Sequence, residues 1–110
     1  MPTIKVKNSQ SEGKSYSEIY LPAIVDLPAA AELRQALLAA LSDAAPCVLL
    51  DASEVERIST SAIQIILGAE KEIKLKGGSL GFNKISASLI QIWQDLGLAD
   101  QLTSLHSHKE

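Results

Sequence analysis

Three consecutive hydroxyl side chains, Ser59-Thr60-Ser61, are the most chemically suggestive feature of the chain. They follow a charged loop carrying Asp51, Glu54, Glu56 and Arg57, and they precede an apolar-periodic segment that opens near Ala62. One hydroxyl in such a place caps a helix. Ser61, with Gln64 three residues on, has the spacing of a capping box, and Ser59 or Thr60 would cap equally well. A cap consumes one hydroxyl, so three in a row leave room for a phosphoryl acceptor. A phosphate adds about −1.5 to −2 charges, and the free N–H groups and dipole of a helix N-terminus tolerate that charge.

The remaining candidates for chemistry are weaker. Asp51, Glu54 and Glu56 lie just past an apolar run, at the carboxyl edge where open α/β sheets place their sites. No partner for general acid–base work accompanies them, and a solvated loop is their ordinary reading. Gly77-Gly78-Ser79-Leu80-Gly81 follows a helix-like segment instead of opening one and lacks the lysine of a phosphate-cradling loop. His106 and His108, the only histidines, lie in the polar C-terminal stretch and are too few for a dedicated metal site. Cys47 sits inside the most apolar run, where a buried structural thiol is expected in place of a nucleophile. The residues therefore give no catalytic set, no metal and no cofactor, and no case for an enzyme.

The elements that must position Ser59–Ser61 can be read from periodicity. Thr3–Lys7 and Tyr16–Leu21 alternate with period two and read as an antiparallel hairpin at a sheet edge, with Asn8–Ser15 as its turn. Asp26 followed by Pro28 marks a helix start, and Leu33, Leu37 and Leu41 carry its apolar stripe for roughly 14 residues, ending before Pro46. Cys47-Val48-Leu49-Leu50 is apolar at every position, which predicts a central strand covered on both faces. A second helix is expected over about 62–76, stopped by Gly77-Gly78, then a strand over 79–84 and a third helix over 86–96 closed by Gly97. A short helix over 98–105 and a flexible polar tail over 104–110 complete the expectation. The order β-β-α-β-α-β-α predicts an α/β domain: a small, mixed, mostly parallel sheet of four or five strands with helices packed on it.

Composition agrees with one domain spanning 1–110. The chain has 110 residues, 46% of them hydrophobic and 21% charged, with a formal net charge of −3. That balance excludes disorder and lacks the basic footprint of a nucleic-acid binder. A single cysteine excludes an internal disulfide. No apolar run reaches the ~18 residues of a membrane span, and the first residues lack a signal peptide's apolar stretch, so a cytoplasmic protein without membrane insertion is expected.

The segment Val48-Leu49-Leu50-Asp51-Ala52-Ser53-Glu54-Val55-Glu56-Arg57-Ile58-Ser59-Thr60-Ser61-Ala62-Ile63 resembles the signature of STAS domains, the bacterial anti-sigma factor antagonists and their relatives. Leu21–Leu27, Gly77-Gly78-Ser79-Leu80 and Leu96-Gly97-Leu98 resemble further family segments in the same order. The resemblance implies the STAS fold and a non-enzymatic regulatory module that binds protein partners. It places the family's phosphoacceptor hydroxyl on Thr60, with Ser61 second, and the family's preceding acidic residue on Ser59. Ala62 stands where the family usually has glycine, and Pro22-Ala23 replace another. The implied docking surface is Glu54, Arg57, Ser59, Thr60, Ser61 and Gln64, facing an anti-sigma factor, a serine kinase-like protein or another signalling protein. The alternative is a constitutive STAS adaptor or subunit, in chemotaxis signalling or as the small subunit of a phospholipid-transport ABC complex, in which Thr60 serves only as a cap.

Overall fold

A computed structural model describes residues 4–11, 14–42 and 46–98 of the chain. The expected helix over 98–105, the tail and both histidines lie outside these residues, apart from Leu98.

The main sheet has four strands in the order β1-β2-β4-β6. β1 (Lys5–Ser11) and β2 (Lys14–Tyr20) form the antiparallel hairpin, running from Lys5 opposite Tyr20 to Ser11 opposite Lys14. Asn8–Ser11 and Lys14-Ser15 were expected in the turn and are strand instead. An edge strand with both faces wet needs no apolar alternation, and Lys5 to Asn8 are all exposed. β4 (Cys47–Ala52) lies between β2 and β6 (Ser79–Ile85) and runs parallel to both. The apolar run at 47–50 is central, as its composition predicts.

Its two faces differ, however, and the expectation of cover on both is corrected. Val48, Leu50 and Ala52 are buried, while Cys47, Leu49 and Asp51 are half-buried. Parallel pairing carries the same division across the sheet. Ile19, Leu50 and Phe82 share the covered face, while Tyr16, Glu18 and Tyr20 stand beside Cys47, Leu49 and Asp51 on the open one. On the open face Glu18 accepts hydrogen bonds from the Tyr20 hydroxyl (3.1 Å) and from Asn83 Nδ2 (3.1 Å). Cys47 is thus a free, half-buried thiol at the open face, not a core thiol.

One layer of helices covers the other face. The shortest dimension of the molecule, 20 Å, matches a sheet plus a single helical layer. α1 (Leu27–Ala40) begins as predicted from Asp26 and Pro28: the Asp26 carboxylate accepts from the Ala29 N–H at 3.1 Å. Leu33 and Leu37 of this helix are buried. α2 (Thr60–Leu75) buries Ile63, Ile66 and Ile73, and α3 (Ala87–Asp95) buries Leu89 and Trp93. Trp93 meets Phe82 edge-on, with ring centroids 5.8 Å apart, which locks α3 to the covered face. Where α2 returns to the sheet, Gly78 lies against Pro46: an added Cβ would stand 2.0 Å from the Pro46 carbonyl oxygen.

Two residues at a time form a second, very small sheet. β3 (Ile24–Val25) pairs in parallel with β5 (Arg57–Ile58), Ile24 opposite Arg57 and Val25 opposite Ile58. Neither is long enough to show periodicity.

Candidate functional site

The hydroxyl triple sits where β5 turns into α2, and the structure divides the three side chains by task. Ser59 is the cap: its backbone is extended (φ −74°, ψ 154°) and its hydroxyl accepts from the Ala62 N–H at 3.1 Å. The Ser59 carbonyl takes the next N–H, that of Ile63, at 3.2 Å. Thr60 and Ser61 are the first two residues of the helix, and both are exposed. The capping box of Ser61 with Gln64 is not formed, because a cap must stand outside the helix and Ser61 is inside it. Thr60 is likewise relieved of the capping task.

The loop leading to this point is held rigidly from two sides. Asp51 closes a turn by accepting from the Ser53 N–H (3.1 Å) and the Ser53 hydroxyl (2.7 Å). Val55, the one apolar residue in the charged stretch, is 1% exposed and anchors the loop in the core. Its carbonyl accepts from the Ser86 hydroxyl at 2.5 Å, and the Ser86 N–H reaches the Ala52 carbonyl at 3.0 Å. Ser86 also caps α3 through the Leu89 N–H, so its side chain ties the start of α3 to the loop while its N–H ties it to the end of β4. On the other side the Ala23 carbonyl receives the N–H groups of Glu56 (2.7 Å) and Arg57 (3.1 Å), and the Val25 carbonyl receives that of Ser59 (2.8 Å). Ala23, Val25 and Ser86 are therefore site-building residues that sequence reasoning missed. Val55 was the legible signal, an isolated apolar residue among charges.

The residues expected at a docking surface fall at three places along the chain's path into α2. Glu54 lines a cavity of about 440 Å³ at the carboxyl ends of β2 and β4, with Tyr20, Pro22, Asp51 and Lys5. Arg57, Ser59, Thr60 and Ser61 follow at the helix start. Gln64 lines a groove of about 300 Å³ between α1 and α2, with Arg34, Leu38, Ile65 and Glu72. Glu54, Arg57 and Gln64 are exposed and Ser59 is half-buried.

Electrostatically, the first turn of α2 carries no acidic side chain, so its dipole is uncompensated by its own residues. In the adjacent cavity Tyr20 has its phenol pKa raised above the ordinary value. The main cause is the hydrogen bond to Glu18, followed by burial and the negative charges of Glu18 and Asp51. Among the described residues no group of three or more His, Cys, Asp or Glu side chains is placed to hold a metal ion. No described helix is long and apolar enough to cross a membrane. What the arrangement offers is a hydrogen-bonded loop and a helix start with two exposed hydroxyls, Thr60 and Ser61, neither of which serves as the cap.

Comparison with curated proteins finds no match by sequence. Among solved structures, the anti-sigma factor antagonist SpoIIAA in its unphosphorylated form is similar with a TM-score of 0.69 and 16% identity, covering 87% of this chain and 84% of that one. The phosphorylated form of SpoIIAA, the Bacillus cell fate determinant, gives a TM-score of 0.65 at 16% identity, covering 87% and 86%. An anti-sigma factor antagonist from Mycobacterium paratuberculosis gives 0.66 at 20% identity, covering 94% and 95%. These likenesses establish the shared fold. The family model described as Mlab, STAS domain matches residues 11–105, and the chain belongs to that family of STAS domains.

Proposed function

We propose that this protein is a non-enzymatic regulatory module of the anti-sigma factor antagonist type, docking a protein partner at the start of α2 and switched by phosphorylation of Thr60. One observation carries the reading: Ser59 supplies the cap, which leaves the Thr60 hydroxyl exposed at the first helical position with no structural duty. A phosphate there meets an uncompensated helix dipole and lies three residues from Arg57, so it changes the surface without unfolding the domain. If a partner covers Thr60, the added near-dianion must be desolvated, which costs several kcal/mol and lowers affinity a hundredfold or more. Ser59 in place of the family's acidic residue favours a second reading, a constitutive adaptor or subunit whose surface needs no phosphate.

Incubation with a cognate serine kinase and ATP, followed by peptide mass spectrometry, tests the switch. Label on the segment 59–61 that disappears in Thr60→Ala supports it. Stoichiometric label elsewhere contradicts it, and no label at all leaves the constitutive module.

A further inference from the structure

The cavity of about 440 Å³ at the carboxyl ends of β2 and β4 has a chemistry separate from that of the helix start. Its size lies in the range of small-molecule pockets. Lys5, Tyr20 and Asp51 line it as one row across three strands, since Lys5 stands opposite Tyr20 and Tyr20 opposite Asp51 in the sheet. Paired residues point to the same face, so an ammonium and a carboxylate flank Tyr20 from its two sides. Two strand spacings, about 9.5 Å, separate their backbones. Glu54, three residues beyond Asp51, adds a second carboxylate, and Pro22 and Ala23 add apolar surface.

The hydrogen bonds already made decide what these side chains can still offer. The Tyr20 hydroxyl donates to Glu18 at 3.1 Å, and that bond raises its pKa, so the phenol stays protonated. The Ser53 hydroxyl donates to Asp51 Oδ1 at 2.7 Å. Both hydroxyls have thus committed their protons and present only lone pairs to a ligand. The turn at Asp51 uses Oδ1 for both of its bonds, which leaves Oδ2 for another donor. Side-chain acceptors therefore dominate the cavity, and Lys5 is its one charged donor among the described residues. Lys5, Asp51 and Glu54 line this one cavity, yet among the described residues they form no ion pair. Opposite charges that share a cavity without neutralising each other fit a ligand that carries both signs.

We propose that this cavity binds a free amino acid, with the ligand's ammonium on Asp51 and Glu54 and its carboxylate on Lys5. A primary ammonium supplies three N–H donors, the complement of a wall of acceptors. A simple cation meets the repulsion of Lys5 and a simple anion that of two carboxylates, whereas a zwitterion sets each of its charges against the opposite one. The inference goes beyond the docking surface at α2 and does not depend on phosphorylation of Thr60.

The test titrates the whole isotope-labelled protein with each common L-amino acid in turn and follows the backbone amides by NMR. At least one amino acid is expected to shift the amides of Tyr20, Leu21, Ala23, Ser53 and Glu54 and to saturate with a Kd of about 1 mM or tighter. Its N-acetyl derivative lacks the ammonium and its amide lacks the carboxylate, so each should bind roughly tenfold more weakly or worse. Glu54→Gln and Lys5→Met should each weaken the parent amino acid several-fold. Glu56→Gln, on the same loop but outside the cavity, should leave its affinity unchanged. Lys5 and Glu54 are exposed, and thermal melting verifies that both variants fold. The absence of a saturable shift at these amides with every amino acid would overturn the site. So would either analogue binding as tightly as its parent, or an affinity indifferent to either Glu54→Gln or Lys5→Met.

Discussion

Replacing Ser59 and Thr60 separately by alanine distinguishes a structural hydroxyl from an unengaged one. The two side chains are neighbours, yet only Ser59 holds a backbone donor, the Ala62 N–H at 3.1 Å. Loss of an N-cap costs about 1 kcal/mol. With an unfolding entropy of about 2.1 cal/mol/K per residue, a chain of 110 residues loses about 4 °C in melting temperature for each 1 kcal/mol. Ser59→Ala is therefore expected to melt about 4 °C lower. Thr60→Ala removes an exposed β-branched side chain from the first helical position and puts a better helix former there, so its melting temperature should hold or rise slightly. Thr60→Glu adds a carboxylate at the positive end of the dipole and should gain about 0.3–1 kcal/mol. Differential scanning calorimetry of the three variants at one pH and ionic strength measures all of this. A Thr60→Ala variant that melts as low as Ser59→Ala would refute the assignment, because the Thr60 hydroxyl would then carry structural load and would not be free for a switch.

Gly78→Ala is expected to lower the urea midpoint by an amount equivalent to about 1–3 kcal/mol, since its Cβ would stand 2.0 Å from the backbone oxygen of Pro46 and one of the two segments must move. Gly68→Ala, with nothing within 4 Å of the added Cβ in the middle of α2, should be neutral or stabilising in the same assay. Tyr20 should titrate above the usual phenol range in an ultraviolet difference titration, and Glu18→Gln should bring it down, since the Glu18 hydrogen bond and charge both raise it. The raised folded-state pKa means that this phenol's contribution to stability is complete below the ordinary pKa of about 10 and is lost as pH rises above it. Titration of Tyr20 at or below the ordinary value would remove the hydrogen bond from the account.

The order of the major elements was determined by the sequence alone, because each carries a local and redundant signal. Asp26 with Pro28 starts α1, the repeating Leu33 and Leu37 give it a face, and Gly77 and Gly97 end α2 and α3 at backbone angles (φ 79° and 75°) that glycine adopts freely. The run Cys47–Leu50 marked the central strand by composition. It did not reveal that, among the described residues, the helices cover only one face, because the sequence cannot say on which sides of a sheet three helices settle. Likewise the triple Ser59–Ser61 declared a helix start and a surplus of hydroxyls, yet all three could cap on local grounds. The choice of Ser59 was made by the tertiary structure: Val25 takes its N–H, holding its backbone extended and fixing the helix to begin one residue later. The two-residue strands β3 and β5 have no period to read, and their pairing joins residues 33 positions apart, Ile24 with Arg57 and Val25 with Ile58. That long-range pairing brings the strand that leads into α1 alongside the strand that leads into α2, an arrangement that exists only in three dimensions.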